Sequence, residues 1–173
     1  MTSTVQAEST AQDFDFWMGT WTCRNRRLKR RLSGSEDWEE FDSWSVARPL
    51  FGGLANEDEL HIEHDREDDV GSHTVPAGMS FRFFDSVTKR WSIYWADSRR
   101  LGVLDPPVIG GFDGDVGVFE GEDVWNGRPI LVRFTWSRVT TPNPRWEQAF
   151  SDDGGRTWET NWIADFTRVE EET

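Results

Sequence analysis

Residues 79–96, MSFRFFDSVTKRWSIYWA, decide the fold. Apolar and polar side chains alternate on both sides of the central segment Asp85–Lys89, which is the pattern of half-buried β-strands joined by a turn. The stretch therefore predicts an antiparallel hairpin, Met79–Phe84 paired with Arg90–Ala96. The apolar rows predicted to face inward are Met79, Phe81 and Phe83, and Trp91, Ile93 and Trp95.

Similar alternating runs occupy the rest of the chain and are separated by short turns. The further predicted strands are Thr20–Leu32, Trp38–Arg48, Leu54–Glu63, Val108–Phe112, Val116–Asp123, Ile130–Val139, Arg145–Ser151 and Trp158–Val169. Parallel pairing would need long crossover connections, and no helical pattern is available to supply them. An antiparallel sheet of this size curls or closes on itself. We therefore predict an all-β protein, an up-and-down β-barrel of about 9–10 antiparallel strands, with a two-sheet sandwich as the competing fold.

The length of the chain predicts one domain. The chain has 173 residues, of which 11 are Trp and 12 are Phe. This length corresponds to one domain, expected at 13–169, with a flexible tail at 1–12 and a short acidic tail at 170–173.

Charge and cysteine content restrict the partners and the location. The formal net charge is −13, so phosphate backbones are repelled and a nucleic-acid partner is not expected. A membrane partner is not expected either, since no apolar run reaches the ~18 residues of a membrane helix. The polar N-terminus shows no signal sequence, and the lone Cys23 cannot form an intrachain disulfide. We expect a cytoplasmic protein with a small-molecule partner. A homodimer is compatible with the sequence.

Two short motifs carry a resemblance to known families. Gly19-Thr20-Trp21, at the entrance to the first strand, resembles the G-x-W signature of lipocalins and other calycins. The resemblance implies that Trp21 plugs the closed end of a barrel and that Arg168 packs over it. Ser151–Trp158 matches the Asp-box pattern S-x-D-x-G-x-T-W, which resembles a turn knitted by Asp and Ser. Sialidases repeat that motif once per propeller blade, and a single copy here does not imply their activity.

The pattern from Asp13 to Val169 resembles a family of bacterial calycin-like barrel domains of uncharacterised function. The resembling segments are Phe14–Trp17, Gly19–Trp21, Asn25–Leu28, Trp146–Phe150 and Trp158–Trp162. The resemblance implies a barrel and supplies no agreed activity or catalytic residue. The related nitrobindins bind haem through a late histidine, whereas no histidine follows His73 in this chain. We therefore expect no cofactor.

Polar residues inside the predicted apolar rows mark the candidate site, because small-molecule sites are apolar cavities with a few converging polar groups. We predict binding of a small, largely apolar or aromatic molecule inside the barrel. The predicted ligand-binding residues are Asn25, Trp44, Asn56, Phe81, Trp91, Trp95, Trp136, Trp146, Gln148, Thr160 and Trp162. The opposite rows hold Arg82, Tyr94, Arg133, Glu147 and Asn161, and a one-residue slip or a bulge would turn such residues inward.

Two other functions remain open. In the first, the protein is a cofactor-free cyclase, isomerase or hydrolase, with Asp42 and Asp58 as acid and base and Arg27 stabilising developing negative charge. In the second, it is an interaction protein with a filled core. Glu57, Glu59, His61 and Glu63 alternate on one strand face, which is expected to be a charged outer face. The spacing His61-Ile62-Glu63-His64 is not the zincin motif His-Glu-x-x-His. We expect no metal site, although the sequence does not decide whether the region His61–His64 binds a metal.

Overall fold

A computed structural model of the chain describes residues 8–62 and 76–171. Ten strands in this part of the chain form one closed antiparallel barrel in which β1 pairs with both β2 and β10. The prediction of an all-β up-and-down barrel is confirmed, and the sandwich alternative is wrong. The strands are β1 Gly19–Leu28, β2 Trp38–Leu50, β3 Ala55–Ile62, β4 Gly78–Asp85, β5 Arg90–Asp97, β6 Val108–Asp113, β7 Val116–Trp125, β8 Arg128–Ser137, β9 Arg145–Ser151 and β10 Glu159–Arg168.

The described residues contain two 3₁₀ turns, Asp15–Trp17 and Phe51–Gly53. No helix in the described ranges is long and apolar enough to cross a membrane.

One end of the barrel is filled by aromatic side chains. We call it the closed end; β1 begins there and β10 ends there. The turn Asp15–Trp17 inserts Trp17 among the rings of Trp21, Trp136 and Phe166, whose centroids lie 5.2, 4.9 and 4.7 Å away. Phe14 packs beside them and is 1% exposed. These packed aromatic rings bury large apolar areas and form part of the hydrophobic core.

Arg168 closes this end from outside. Its guanidinium lies 4.2 Å from the ring centroid of Trp21 and donates hydrogen bonds to the carbonyls of Met18 and Phe16. Gly19 makes room for it: φ is +115°, and a Cβ at this position would lie 2.7 Å from the Arg168 guanidinium. A side chain at residue 19 would therefore be strained and would displace the arginine.

The N-terminal segment also packs against this end. Ser9 is 5% exposed and its hydroxyl accepts the Phe112 N–H at 2.8 Å. The Thr10 carbonyl accepts the Trp91 indole N–H at 3.2 Å. Part of the segment expected to be a flexible tail is thus ordered against the barrel. Residues 1–7 and 172–173 of the two expected tails lie outside the described ranges.

The turn between β9 and β10 is built around Asp153. Its carboxylate accepts the backbone N–H groups of Arg156 and Thr157 at 3.0 and 2.9 Å and the Thr157 hydroxyl at 2.5 Å. These hydrogen bonds, first of all the one from the Thr157 hydroxyl, hold the pKa of the Asp153 carboxyl well below its usual range. The hydroxyl of Ser151 accepts the Gly155 N–H at 2.9 Å. The turn thus satisfies its own polar groups.

Candidate functional site

The inward-facing residues of the other half of the barrel are less covered than those of the closed end. We call this the open half. Trp21, Trp91 and Trp136 at the closed end are at most 3% exposed. In the open half, inward-facing Phe41 and Trp162 remain partly exposed. An inward side chain is exposed only where solvent reaches it, so water reaches the inward rings of the open half.

Four inward rings line one wall of this half, and we call them the aromatic ladder: Phe134 on β8, Trp146 on β9, Trp162 on β10 and Phe41 on β2. Successive ring centroids lie 5.0, 5.6 and 6.1 Å apart. The first two contacts are edge-to-face, a favoured aromatic geometry. All four rings are partly exposed. The ladder is a surface on which a flat apolar molecule can stack.

Arg27 lies across the end of the ladder. Its guanidinium carbon is 4.6 Å from the Phe41 ring centroid and 4.9 Å from that of Trp162. Its Nε donates to Glu39 at 2.7 Å. The side chain is 24% exposed, so the planar cation remains accessible from the open half. It pairs with Glu39, and not with either of the aspartates considered in the acid–base hypothesis.

Two inward-facing amides lie beside the ladder, Asn25, which is buried, and Gln148, which is partly exposed. Asn25 donates to the Ser43 hydroxyl at 2.8 Å and accepts the Trp162 indole N–H at 2.9 Å. Gln148 donates to the Asn161 carbonyl oxygen at 2.8 Å. These bonds fix the orientation of Trp162 and of both amides, which limits the conformational entropy that a ligand would have to remove.

A second arginine covers the open end. Arg31, in the connection between β1 and β2, lies with its guanidinium carbon 5.1 Å from the Trp125 ring centroid and 5.4 Å from that of Phe150. The neighbouring Leu32 N–H donates to Glu159 at 2.7 Å, which ties the connection to β10. The mouth of the barrel is therefore lined by two arginines and by aromatic rings.

A buried ion pair separates the open half from the aromatic cluster of the closed end. We call that cluster the plug; it comprises Trp17, Trp21, Trp136 and Phe166. Asp58 on β3 contacts the Arg82 guanidinium at 2.5 Å and accepts the Trp17 indole N–H at 3.0 Å. Arg82 also donates to Asn56 at 3.0 Å. Asp58 and Arg82 are each 4% exposed. The Asp58 carboxylate binds both the Arg82 guanidinium and the Trp17 indole, so it has a structural role in holding Trp17 in place.

The orientation predicted for two residues of β2 is wrong. In β2 the inward row is Phe41, Ser43, Ser45 and Ala47, which follows from their pairing with the inward residues of β1. Asp42 and Trp44 therefore point outward. Asp42 is exposed and pairs with Arg24 at 3.1 Å, whereas Trp44 stacks on His61 at 3.7 Å. From Ser43 to Ala47 the inner row is small, because the indoles of Trp17 and Trp21 occupy this end of the barrel, and Trp44 lies outside.

The predicted orientation is also wrong on β4. Arg82 pairs across from inward Ile93 and Asn56, so Phe81 lies on the outer face. The buried ion pair overrides the apolar pattern of the strand, because a charge at this depth needs its partner.

A β-bulge corrects the prediction for Thr160. The register shifts between Thr160 and Trp162, and as a result Asn161 turns inward and is 0% exposed. Thr160 turns outward and lines a shallow outer cleft of about 510 Å³ together with Leu28 and Trp38.

The remaining predicted residues face inward, at two different depths. Trp91, Trp136 and Asn56 belong to the closed half and are at most 3% exposed. Trp95 belongs to the open half and is partly exposed. The structure thus brings five predicted ligand-binding residues together around the open half: Asn25, Trp95, Trp146, Gln148 and Trp162.

Neither the cysteine nor the histidine region forms a chemical site in the described part of the chain. Burial raises the pKa of the Cys23 thiol to about 12, so the thiol is not a nucleophile at neutral pH. His61 is stacked on Trp44 and bonded to Glu59 at 3.0 Å. No group of three or more possible metal ligands occurs among the described residues, and His64 and His73 lie outside them.

The sequence analysis left Phe41, Arg31 and Trp125 out of the candidate site, and it placed Asn161 on the opposite face, from which only a slip or a bulge would turn it inward. A cation near several aromatic residues was the available signal for Arg31, since arginine stacks on rings. No pattern in the sequence indicated the bulge that turns Asn161 inward.

Comparison with known proteins identifies a similar fold. The S-type phycobiliprotein lyase CPES from Guillardia theta is similar over 95% of this chain and 94% of its own, with a TM-score of 0.57 and 10% sequence identity. Its fold is lipocalin-like, and at this identity the likeness concerns the fold alone. No protein-family model matches the chain, and the comparison with curated proteins returned no match.

Proposed function

We propose that the protein binds a small, largely apolar or aromatic molecule in the open half of its barrel. The partial exposure of the inward-facing aromatic ladder is the observation that carries this proposal. Covering apolar rings that are in contact with water lowers the free energy, and this favours binding of an apolar ligand. The barrel of the phycobiliprotein lyase neighbour is consistent with a small-molecule ligand.

The polar groups of the site support binding over catalysis. The two carboxylates of the acid–base hypothesis are an exposed one, Asp42, and one engaged with Arg82 and Trp17, Asp58. By contrast, the groups that reach the open half are fixed amides and stacked arginines. Such groups orient a ligand within an apolar cavity.

Several sequence-based expectations stay predictions beside this proposal. They are a cytoplasmic location, one domain over 13–169, and the absence of nucleic-acid and membrane partners. The oligomeric state belongs with them.

Titration with N-phenyl-1-naphthylamine, a neutral probe that brightens in apolar surroundings, tests the proposal. We expect saturable binding at one site. Trp146→Leu removes an inward ring of the ladder, and we expect it to weaken binding about 10-fold, which corresponds to ~1.4 kcal/mol.

Trp38→Leu is the matched control, because Trp38 is an outward, partly exposed tryptophan beside the outer cleft. It should leave the affinity within about twofold of the parent, since a surface substitution changes little. No saturable binding, or a larger loss in Trp38→Leu than in Trp146→Leu, would contradict the proposal.

A further inference from the structure

Arg31 is a cation without an anionic partner in the described part of the chain. Its contacts there are the faces of Trp125 and Phe150, and no carboxylate of residues 8–62 or 76–171 lies within ion-pair distance. By contrast, Arg27 and Arg82 in the barrel interior each have a carboxylate at 2.7 Å or less. A mostly covered guanidinium with no counter-charge is energetically costly, so it needs a role other than packing.

The positive charge of Arg31 is not compensated by its surroundings. Burial, followed by the positive charge of Arg27, lowers the pKa of Arg31 to about 10. The negative charges of Glu159 and Glu39 act in the opposite direction and are too distant to form an ion pair. The side chain nevertheless stays protonated at neutral pH. Two positive charges thus face the mouth of the barrel in a protein whose net charge is −13.

Two further hydrogen-bond donors in the same region are buried without an acceptor. The indole nitrogen of Trp125 and the amide nitrogen of Asn161 have no partner within the described ranges. Trp125 contacts Arg31 directly, and its ring centroid is 5.5 Å from that of Phe150. Asn161 is 0% exposed and is held by Gln148, which shares the inward face of β9 with Phe150. Unsatisfied buried donors are rare in folded proteins and call for an explanation.

An anionic group supplies the acceptors that the Arg31 guanidinium and the adjacent Trp125 indole N–H lack, and the Asn161 amide is a further donor on the same inward side of the barrel. A guanidinium, an indole N–H and an amide N–H only donate hydrogen bonds, so the complementary group must accept several of them. A carboxylate has two oxygens with about four acceptor positions, and it also neutralises the cation. A hydroxyl or a second cation would leave donors or charge uncompensated.

Building on the proposed function, we infer that the ligand of the open half carries an acidic group that Arg31, Trp125 and Asn161 bind at the mouth of the barrel. Its apolar body lies against the aromatic ladder, deeper in the open half. The ligand class is therefore an aromatic or apolar organic acid. The polar end enters last and faces the mouth, because Arg31 belongs to the connection that covers the open end.

Two related probes separate this inference from the proposed function. N-phenyl-1-naphthylamine is neutral, and 1-anilinonaphthalene-8-sulfonate has the same ring system with one anionic group. We expect the anionic probe to bind more tightly to the parent protein at neutral pH. Arg31→Gln should weaken its binding about 10- to 100-fold, the range for a hydrogen bond to a charged group, and leave the neutral probe within about twofold.

Arg30→Gln is the matched control, because it makes the same change in net charge at the adjacent, exposed residue. It should leave both affinities nearly unchanged. Trp125→Phe keeps a ring and removes the N–H, and it should weaken the anionic probe selectively. Arg31→Lys, which keeps the charge, should restore part of the affinity, and retained binding of the neutral probe verifies that each variant is folded.

The outcomes distinguish the two claims. If neither probe binds, the proposed function fails. If the neutral probe binds while the anionic probe gains nothing and Arg31→Gln changes both probes equally, the acidic-ligand inference fails and the proposed function stands. If Arg30→Gln weakens the anionic probe as much as Arg31→Gln does, the effect is long-range charge, and the assignment of Arg31 is wrong.

Discussion

Replacement of Asp58 by alanine should lower the free energy of unfolding by about 3–5 kcal/mol, the cost of leaving a buried charge without its partner. Arg82, which is buried in the parent protein, would keep Asn56 as its polar side-chain contact among the described residues. The Trp17 indole N–H would lose its acceptor. Since a domain of this kind is stabilised by only about 5–15 kcal/mol, urea denaturation should show a large fall in the transition midpoint.

Asp42→Ala is the matched control. Asp42 also pairs with an arginine, Arg24, but its side chain is 67% exposed. We expect a loss of about 1 kcal/mol or less, as is usual for an exposed ion pair. Combining Asp58→Leu with Arg82→Met should recover part of the loss, because it removes both charges together. Equal effects of Asp58→Ala and Asp42→Ala would show that the aspartate of β3 is not a buried anion.

Replacement of Trp17 by alanine should destabilise the barrel to a similar extent, by about 3–5 kcal/mol, through the cavity left in the plug. The indole touches Trp21, Trp136 and Phe166 and is 2% exposed as a residue. For a chain of this size, the melting temperature should fall by roughly 10 °C. Differential scanning calorimetry measures this directly.

Trp38→Ala serves as the comparison for the plug. Trp38 is an outward residue whose ring lies 5.0 Å from the Arg26 guanidinium carbon. We expect it to cost about 1 kcal/mol or less, because an exposed cation–π contact contributes little. A smaller effect in Trp17→Ala than in Trp38→Ala would mean that the turn Asp15–Trp17 does not close the barrel.

Alternation along a strand predicted the correct face on β5, β8 and β9, where Trp and Phe residues occur on one face only. On β5, β8 and β9 the inward rows Trp91–Trp95, Ile130–Trp136 and Trp146–Phe150 are those expected. On β2 and β4 aromatic residues occur on both faces, and there the pattern alone cannot decide. On these two strands, contacts in the interior determine which face points inward. For β2 they are the contacts with the indoles of Trp17 and Trp21, and for β4 they are the ion pair of the buried Arg82 with Asp58.

The polar residues of the site were harder to predict than its rings. Asn25 and Gln148 interrupt apolar rows and were found for that reason. Arg31 lies outside any strand, so periodicity says nothing about it, and Asn161 depends on a bulge. Their positions follow from backbone irregularities and from contacts between residues distant in the chain, which a single sequence does not encode locally.

A ligand that enters the open half should leave the aromatic rings of the closed end unchanged. Selective ¹⁵N labelling of the indole nitrogens of the 11 tryptophans reports on both halves at once, because each indole N–H gives its own resonance. The measurement is a titration of the labelled protein with N-phenyl-1-naphthylamine, followed by NMR. Resonances are assigned with single Trp→Phe variants.

Saturable shifts are expected for the indoles of the open half, Trp95, Trp125, Trp146 and Trp162. Small or no shifts are expected for Trp17, Trp21 and Trp91 in the closed half and for Trp38 and Trp44 on the outer face. Shifts confined to Trp38 or Trp44, or no saturable shift in any indole, would contradict binding inside the barrel.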